Sequence, residues 1–413
     1  MGSLFTSAAD VRLSDAGFWA LSEEERGQGF AVLRKEAPVS WQEEGATPWS
    51  GAGRGYWAIT RHADICAISR DQELFTSGLG TEIADLPLEV TRLYGGMLNM
   101  SGPEHLRLRR IVSSAFTPRV LDKAEEDIRT RAARIVNGVA GRGQCDFLRD
   151  IAAVLPIEVI CDMLGVPAVD REEMQRLTVL TLGFGDPAVG TLDDSLKAAR
   201  SLIDYGAELG RQRRDNPQDD LVTALVRARI DADGLSDEEI GSFFQLLVTA
   251  GIETTGTAIA HGMLHLSRNP DQRERWRLDF DAVAPTAVEE IVRVATPVVS
   301  FRRTATRDVD LHRARIREGD KVVLWYPSGN RDETVFDEPW RFDVTREPND
   351  HVAFGGGGPH FCLGAYLARR EITVMFRELL LRLPDIEFIE EPERMSTVFL
   401  HGFHRMPCRF TPA

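Results

Sequence analysis

The alternation of apolar and polar positions along the chain reads mostly as helix. From Ser236 an apolar-rich stretch runs unbroken to about Ser267 and stops before Pro270. That is roughly thirty residues, or about 45 Å of helix. Ser236 and Glu239 form an S-x-x-E capping box at its start. From Phe243 to Val248 the stretch is apolar around nearly its whole circumference, which predicts burial. A shorter helix opens at Pro103, carries Leu106, Ile111, Val112 and Ala115 at helical spacing, and closes at Pro118. Residues from about 120 to 230 hold several amphipathic stretches, interrupted by a loop at Gly183-Phe184-Gly185-Asp186-Pro187. Another helix is expected from about Pro285 to Ala295, and one more directly behind Cys362. Strand signals are few. Lys321 to Tyr326 is the clearest, Val309–Leu311 can pair with Ala314–Ile316 through a tight turn, and a short run lies at 55–60. The expected class is mainly α with small β-sheets.

Composition narrows this picture. The chain has 413 residues, 43% hydrophobic and 27% charged, which is ordinary for a soluble globular protein. The length prior suggests two or three domains and allows one large fold. No linker, repeat or low-complexity tract divides it. The N-terminus lacks a signal pattern, and no run approaches the length that spans a bilayer, so no membrane anchor is expected. Five widely spaced cysteines argue for a reducing compartment, hence a cytoplasmic protein, rather than a disulfide scaffold. A net charge of −15 argues against nucleic acid and anionic membranes as partners. The cations are uneven: Arg107, Arg109 and Arg110 crowd one helix, and Arg369-Arg370 follows Cys362.

Cys362 is the most informative residue. It ends the loop Phe354-Gly355-Gly356-Gly357-Gly358-Pro359-His360-Phe361-Cys362-Leu363-Gly364 and precedes a helix. Four glycines let backbone come close to a large flat object. Unpaired N–H groups and the helix dipole favour thiolate over thiol there. A thiolate on a glycine platform suits the proximal side of a haem iron. A phosphate-binding G-x-G-x-x-G fails on spacing. A zinc site would need further cysteines or histidines nearby. A structural buried cysteine is the default for an isolated one.

The long helix contains Ala250-Gly251-Ile252-Glu253-Thr254-Thr255-Gly256. A carboxylate within an apolar helix must be paired, protonated or facing water. Thr254 can turn its hydroxyl onto the carbonyl one turn back. Together with the two glycines this predicts a bulge and a small groove that accepts dioxygen and relays protons. The plainer alternative makes Glu253 a surface residue. Glu290 and Arg293 lie at i, i+3, a spacing that usually sits on solvent. His105 and Arg109 share a helix face, Arg303 follows an extended segment at 297–301, and with His360 these could neutralise two carboxylates.

In this order, the residues resemble the cytochrome P450 superfamily of haem-thiolate monooxygenases. The match rests on the Cys362 loop, Ala250 to Thr255, Glu290-Ile291-Val292-Arg293 and Asn330-Arg331-Asp332 with Phe336, Pro339 and Phe342-Asp343, and runs from about Phe18 to Pro407. One departure is that Phe354 stands eight residues before the cysteine rather than seven, as in actinobacterial members that oxidise sterols and methyl-branched lipids. The resemblance implies a single domain over 1–413, a triangular helical prism with haem b between the long helix and the cysteine-loop helix. It implies Cys362 as axial ligand, with His105, Arg109, Ala250, Arg303, Phe354, His360 and Gly364 around the cofactor. It implies Glu253 and Thr254 as the acid–alcohol pair, and Glu290 with Arg293 as a buried structural pair. Leu98, Phe184, Leu246, Thr249, Val298, Val299 and Phe399 would line an apolar substrate pocket. Thr249 departs from the expected aliphatic residue; its hydroxyl either binds a substrate oxygen or its own helix, the second being favoured. The implied reaction hydroxylates an apolar substrate with O₂ and two electrons from a ferredoxin and its reductase, by a monomer. The cations at 107–110 and 369–370 would dock the ferredoxin. Rival readings are hydroxylation of a polyketide or macrolide, a peroxygenase using H₂O₂, and a haem sensor.

Overall fold

The computed structural model describes residues 4–45, 53–113, 125–183, 185–228 and 234–412. Phe184 and the segment 114–124 that was expected to close the first helix at Pro118 lie outside these residues. The architecture is organised around the helix Asp237–Arg268. Both halves of its capping box form: Glu239 N donates to Ser236 Oγ at 3.1 Å, and Ser236 N donates to the Glu239 carboxylate at 2.8 Å. Against it pack the helices Val154–Leu164, Leu192–Asp215, Phe280–Ala295 and Ala365–Arg382. Small residues set how closely the elements cross. A Cβ on Gly241 would meet the Ile203 carbonyl at 2.3 Å, and one on Gly251 would meet Ile160 at 3.0 Å. Gly251 therefore serves helix packing rather than a groove. The expected bulge does not interrupt the helix, which keeps its hydrogen-bond pattern through 250–256.

The largest apolar core surrounds this helix. Two smaller cores lie on either side of a five-stranded sheet, one around Trp325 and Phe30, the other around Ile65 and Leu324. The strand order is Val39–Gln42, Tyr56–Ile59, Lys321–Trp325, Ser300–Ala305, Phe75–Thr76. Only Tyr56–Ile59 with Lys321–Trp325 is parallel. The strand expected to include Tyr326 stops at Trp325, because Pro327 has no N–H for a ladder and instead opens the short helix Tyr326–Gly329. The hairpin Val309–Leu311 with Ala314–Ile316 forms as expected. The helix expected from Pro285 begins earlier, at Phe280: an interior proline removes one backbone bond, and the buried face carrying Ala284, Ala287, Val288 and Ile291 offsets the loss.

Candidate active site

The glycine loop is shaped from behind. Gly355, Gly357 and Gly358 have φ of 97°, 91° and 76°, in the region side chains resist. A Cβ on Gly358 would lie 2.4 Å from the Ser69 carbonyl, and one on Gly356 would lie 2.8 Å from the Ile65 carbonyl. The glycines thus seat the loop on the helix His62–Arg70, a partner with no direct sign in the sequence. The loop closes on itself through Cys362 N donating to the Phe354 carbonyl at 2.9 Å. Phe354 is held under the guanidinium of Arg369, 4.4 Å from its ring centroid, and Arg369 is in turn fixed by Glu289. Burial would raise the Glu289 carboxyl, but Arg369 and His351 hold it down at about 2.

Behind Cys362, Gly364 ends the loop and the helix Ala365–Arg382 begins. Burial pushes the Cys362 thiol up. The N–H groups of Gly364 and Ala365, with Arg109 and Arg369, pull the other way without reversing it. The helix N-terminus therefore acts as the sequence suggests, yet a bound cation is needed to make the thiolate dominant. The side chain is nevertheless exposed.

The central helix has an accessible face of its own. Ala250 is exposed and Leu246, Glu253 and Thr254 are half-buried, whereas Val248, Thr249, Ile252 and Thr255 are buried. Positions 246, 250, 253 and 254 fall on one helix face. Thr254 Oγ1 donates to the Ala250 carbonyl at 2.7 Å. Desolvation pushes Glu253 up to about 7, and no ion pair holds it among the described residues. Glu253 is thus not the solvent-facing carboxylate of an ordinary amphipathic helix.

A buried cationic cluster completes the site. His105 is fully buried, and neither of its ring nitrogens has a partner. It stacks on His360 with centroids 4.1 Å apart, and Nε2 of His360 is also unpartnered. Arg303 is buried and donates to the Arg302 carbonyl at 2.8 Å. Arg109 donates to the Phe361 carbonyl at 2.5 Å. Desolvation first, then the neighbouring arginines, pull His105 down to about 4. Buried donors without acceptors cost free energy unless something supplies the acceptors. A cofactor with two carboxylates and a metal fits these four residues and Cys362.

The substrate-lining expectations divide. Leu98, Leu246 and Val298 are half-buried and accessible. Val299 N donates to the Phe399 carbonyl at 2.8 Å, which brings the segments 297–301 and 399–401 together. Val299 itself packs into the core around Trp325. Thr249 is buried and donates to the Gln245 carbonyl at 2.9 Å, the self-bonding alternative. Glu290 and Arg293 are both fully buried and joined by two bonds of 2.8 Å. Of the cations in the expected docking patch, Arg107 pairs with Glu239, Arg369 with Glu289 and Arg370 with Glu125. Arg110 stays exposed.

Fold and site together define a mostly helical protein with a cysteine in a glycine-rich loop and, beside it, a cluster of His105, His360, Arg109 and Arg303. A sequence model of the family Cytochrome P450 matches residues 181–384. The chain is 47% identical over 407 residues to the methyl-branched lipid omega-hydroxylase of Mycobacterium tuberculosis, covering 98% of this chain and 95% of that protein. It is 39% identical over 389 residues to a steroid C26-monooxygenase of Mycolicibacterium smegmatis, covering 93% and 90%. A solved cytochrome P450 of Mycobacterium marinum in complex with pseudoionone superposes with a TM-score of 0.93 at 42% identity, over 99% of this chain and 100% of that one. The chain belongs to the cytochrome P450 family, with its haem-thiolate iron cofactor and its monooxygenase chemistry on apolar substrates.

Proposed function

We propose that this chain hydroxylates a carbon at or near the end of a methyl-branched lipid, sterol side chain or terpenoid-like substrate, as one catalytic domain over its whole length. The observation that carries the reading is the accessible helix face on which an apolar surface, Leu246 and Ala250, adjoins an acid and an alcohol, Glu253 and Thr254. The names of the two relatives, an omega-hydroxylase and a C26-monooxygenase, support attack at a chain end.

Haem b, when bound, supplies the chemistry that puts one oxygen atom of O₂ into a C–H bond and reduces the other to water, using two external electrons. Cys362 would ligate its iron. Arg109, Arg303, His105 and His360 would take its two propionates by charge-assisted hydrogen bonds. Phe354, Gly364 and Ala250 would bound its faces. Glu253, held near neutrality by desolvation, gives up and regains a proton at its carboxyl, and Thr254 passes it onward from Oγ1. Leu98, Leu246, Val298 and Phe399 exclude water and orient the hydrocarbon, each buried CH₂ contributing about 0.8 kcal/mol. Phe184 belongs to the same proposed wall. A ferredoxin with its reductase supplies the electrons to a cytoplasmic monomer. Among the described residues no helix is long and apolar enough to cross a membrane.

The test is turnover of branched fatty acids and sterols with ferredoxin, reductase and NAD(P)H, against peroxide alone. Terminal alcohol is expected only with the electron chain. Oxidation by peroxide alone would replace this reading with a peroxygenase. Cys362→Ser is expected to lose the long-wavelength Fe(II)–CO band, and an unchanged band would remove Cys362 as ligand.

A further inference from the structure

Cys145 and Cys408 stand 263 positions apart in the chain, and the fold brings them together. The strand Pro407–Arg409 runs antiparallel to Gln144–Asp146, and Cys408 is directly opposite Cys145. Their sulfurs lie 3.6 Å apart in an S–H···S contact. Opposed residues on antiparallel strands hold their Cβ atoms about 4.5–5.5 Å apart. A disulfide needs roughly 3.5–4.5 Å, so side-chain rotation and a small strand adjustment close the gap. The neighbouring bonds fix this register: Phe147 N donates to the Met406 carbonyl at 2.8 Å, and Met406 N to the Asp146 carboxylate at 3.2 Å. Cys408 is fully buried and Cys145 half-buried, so a small oxidant reaches the pair through Cys145.

We propose that Cys145 and Cys408 form a reversible disulfide when the protein meets hydrogen peroxide. Cys145 gives up its S–H proton as its sulfur attacks a peroxide oxygen. The O–O bond breaks, Cys145 becomes a sulfenic acid, and the departing hydroxide takes the proton. Cys408 then displaces hydroxide from the sulfenic sulfur, an S–S bond forms and a second water leaves. Two thiols are oxidised by two electrons and one peroxide is reduced to two waters. A disulfide in a reducing compartment is transient and oxidant-sensing rather than structural. A monooxygenase that uncouples makes peroxide inside its own fold; that source rests on the reading above, whereas the thiol chemistry does not. The bond would clasp the C-terminal strand, just after the Phe399–His401 segment, to the segment that runs beneath Gly256.

The experiment treats the full-length haem protein with hydrogen peroxide, blocks remaining thiols with iodoacetamide and maps the peptides by mass spectrometry. Expected is a linked pair containing Cys145 and Cys408, removed by dithiothreitol and absent from Cys145→Ser. A Tm rise of roughly 5 °C should accompany it in the wild type alone, since the closed loop is long. The Fe(II)–CO band, followed in parallel, reports on Cys362 separately. Full alkylation of both cysteines after peroxide, or a linked pair with another partner, overturns the proposal. So does a Tm rise that persists in Cys145→Ser.

Discussion

The imidazoles of His105 and His360 lie ring on ring, 4.1 Å apart, and three of their four nitrogens have no partner among the described residues. One comes from the helix Gly102–Ser113 and the other from the cysteine loop, so the stack ties the two elements at the point where Arg109 and Arg303 converge. Four potential cations around buried, unsatisfied donors make an anion receptor, and the lone acceptor-free imidazole of His105 is its most costly part when empty.

His105→Phe keeps the stack and removes both ring nitrogens, including the N–H donor of the neutral imidazole. A charge-assisted bond contributes about 1.5–3 kcal/mol, so haem should transfer to a scavenging apoglobin at least about tenfold faster from the variant. The stopped-flow transfer rate checks this. An unchanged rate would take His105 out of the cofactor cradle.

Gly358→Ala tests the rear support of the loop. The new methyl would sit 2.4 Å from the Ser69 carbonyl, at a φ of 76°. Left-handed backbone costs an alanine about 1–2 kcal/mol before the clash with backbone is added. The expected outcome is a protein that folds with a lower haem content and a Tm lower by several degrees. The matching change at Gly364, where a Cβ would meet nothing within 4 Å, should have little steric effect. Equal behaviour of the two variants would show that crowding by the helix His62–Arg70 is irrelevant.

Much of this was legible in one sequence, and the boundary has physical causes. The long helix, its capping box and the helix behind Cys362 are local patterns, and local patterns survive folding when the core agrees with them. The pairing of Glu290 with Arg293 was legible as a spacing, but its burial came only from the family resemblance, since i, i+3 pairs usually sit on solvent. The strand Ser300–Ala305 was only half visible: the extended reading stopped at 301, and Arg302 and Arg303 are buried by partners far away in the chain. The pairing of the cations was hidden for the same reason: Glu239, Glu289 and Glu125, the partners of Arg107, Arg369 and Arg370, lie far from them in sequence. Four glycines in a row did signal close approach, but not that part of the approach is to Ser69 and Ile65.

Glu253 carries the pH dependence of proton delivery. Desolvation raises its carboxyl from the usual range to about 7, so the protonated form that can donate dominates below that value. Product formed per electron consumed should therefore fall as pH rises from 6 to 8, with more peroxide released. Glu253→Gln cannot ionise and should give low coupling with no such slope. A wild-type coupling ratio flat across this window, measured against NAD(P)H consumption, would place the titrating acid elsewhere. Thr254→Val, which keeps the shape and loses the bond to the Ala250 carbonyl, should also release peroxide at the expense of product.

The Glu290–Arg293 pair decides whether the heart of the fold is held by charge or by packing. Besides the two bonds to Arg293, Glu290 accepts from Asp343 N at 2.9 Å, Arg346 Nε at 3.1 Å and Asn349 Nδ2 at 3.1 Å. Arg293 Nη1 donates to the Asn330 and Pro339 carbonyls at 2.9 Å each. Burial pulls the guanidinium down to about 10 despite its partner, while Arg293 and its neighbours outweigh burial and hold the Glu290 carboxyl below its usual range. Both groups stay charged at neutral pH. Removing Arg293 leaves the buried Glu290 with Arg346 as its remaining cation. Arg293→Met should cost about 3–5 kcal/mol in denaturant unfolding. Replacing both residues, Glu290→Leu with Arg293→Met, removes this pair together but strands the Asn330 carbonyl and the Asp343 N–H. The double variant should be less damaged than the sum of the singles and still weaker than the wild type. A single variant that loses less than about 1 kcal/mol would mean that the loop from Asn330 to Asn349 is held by its apolar residues, Phe336 and Phe342, and that the ion pair only accompanies them.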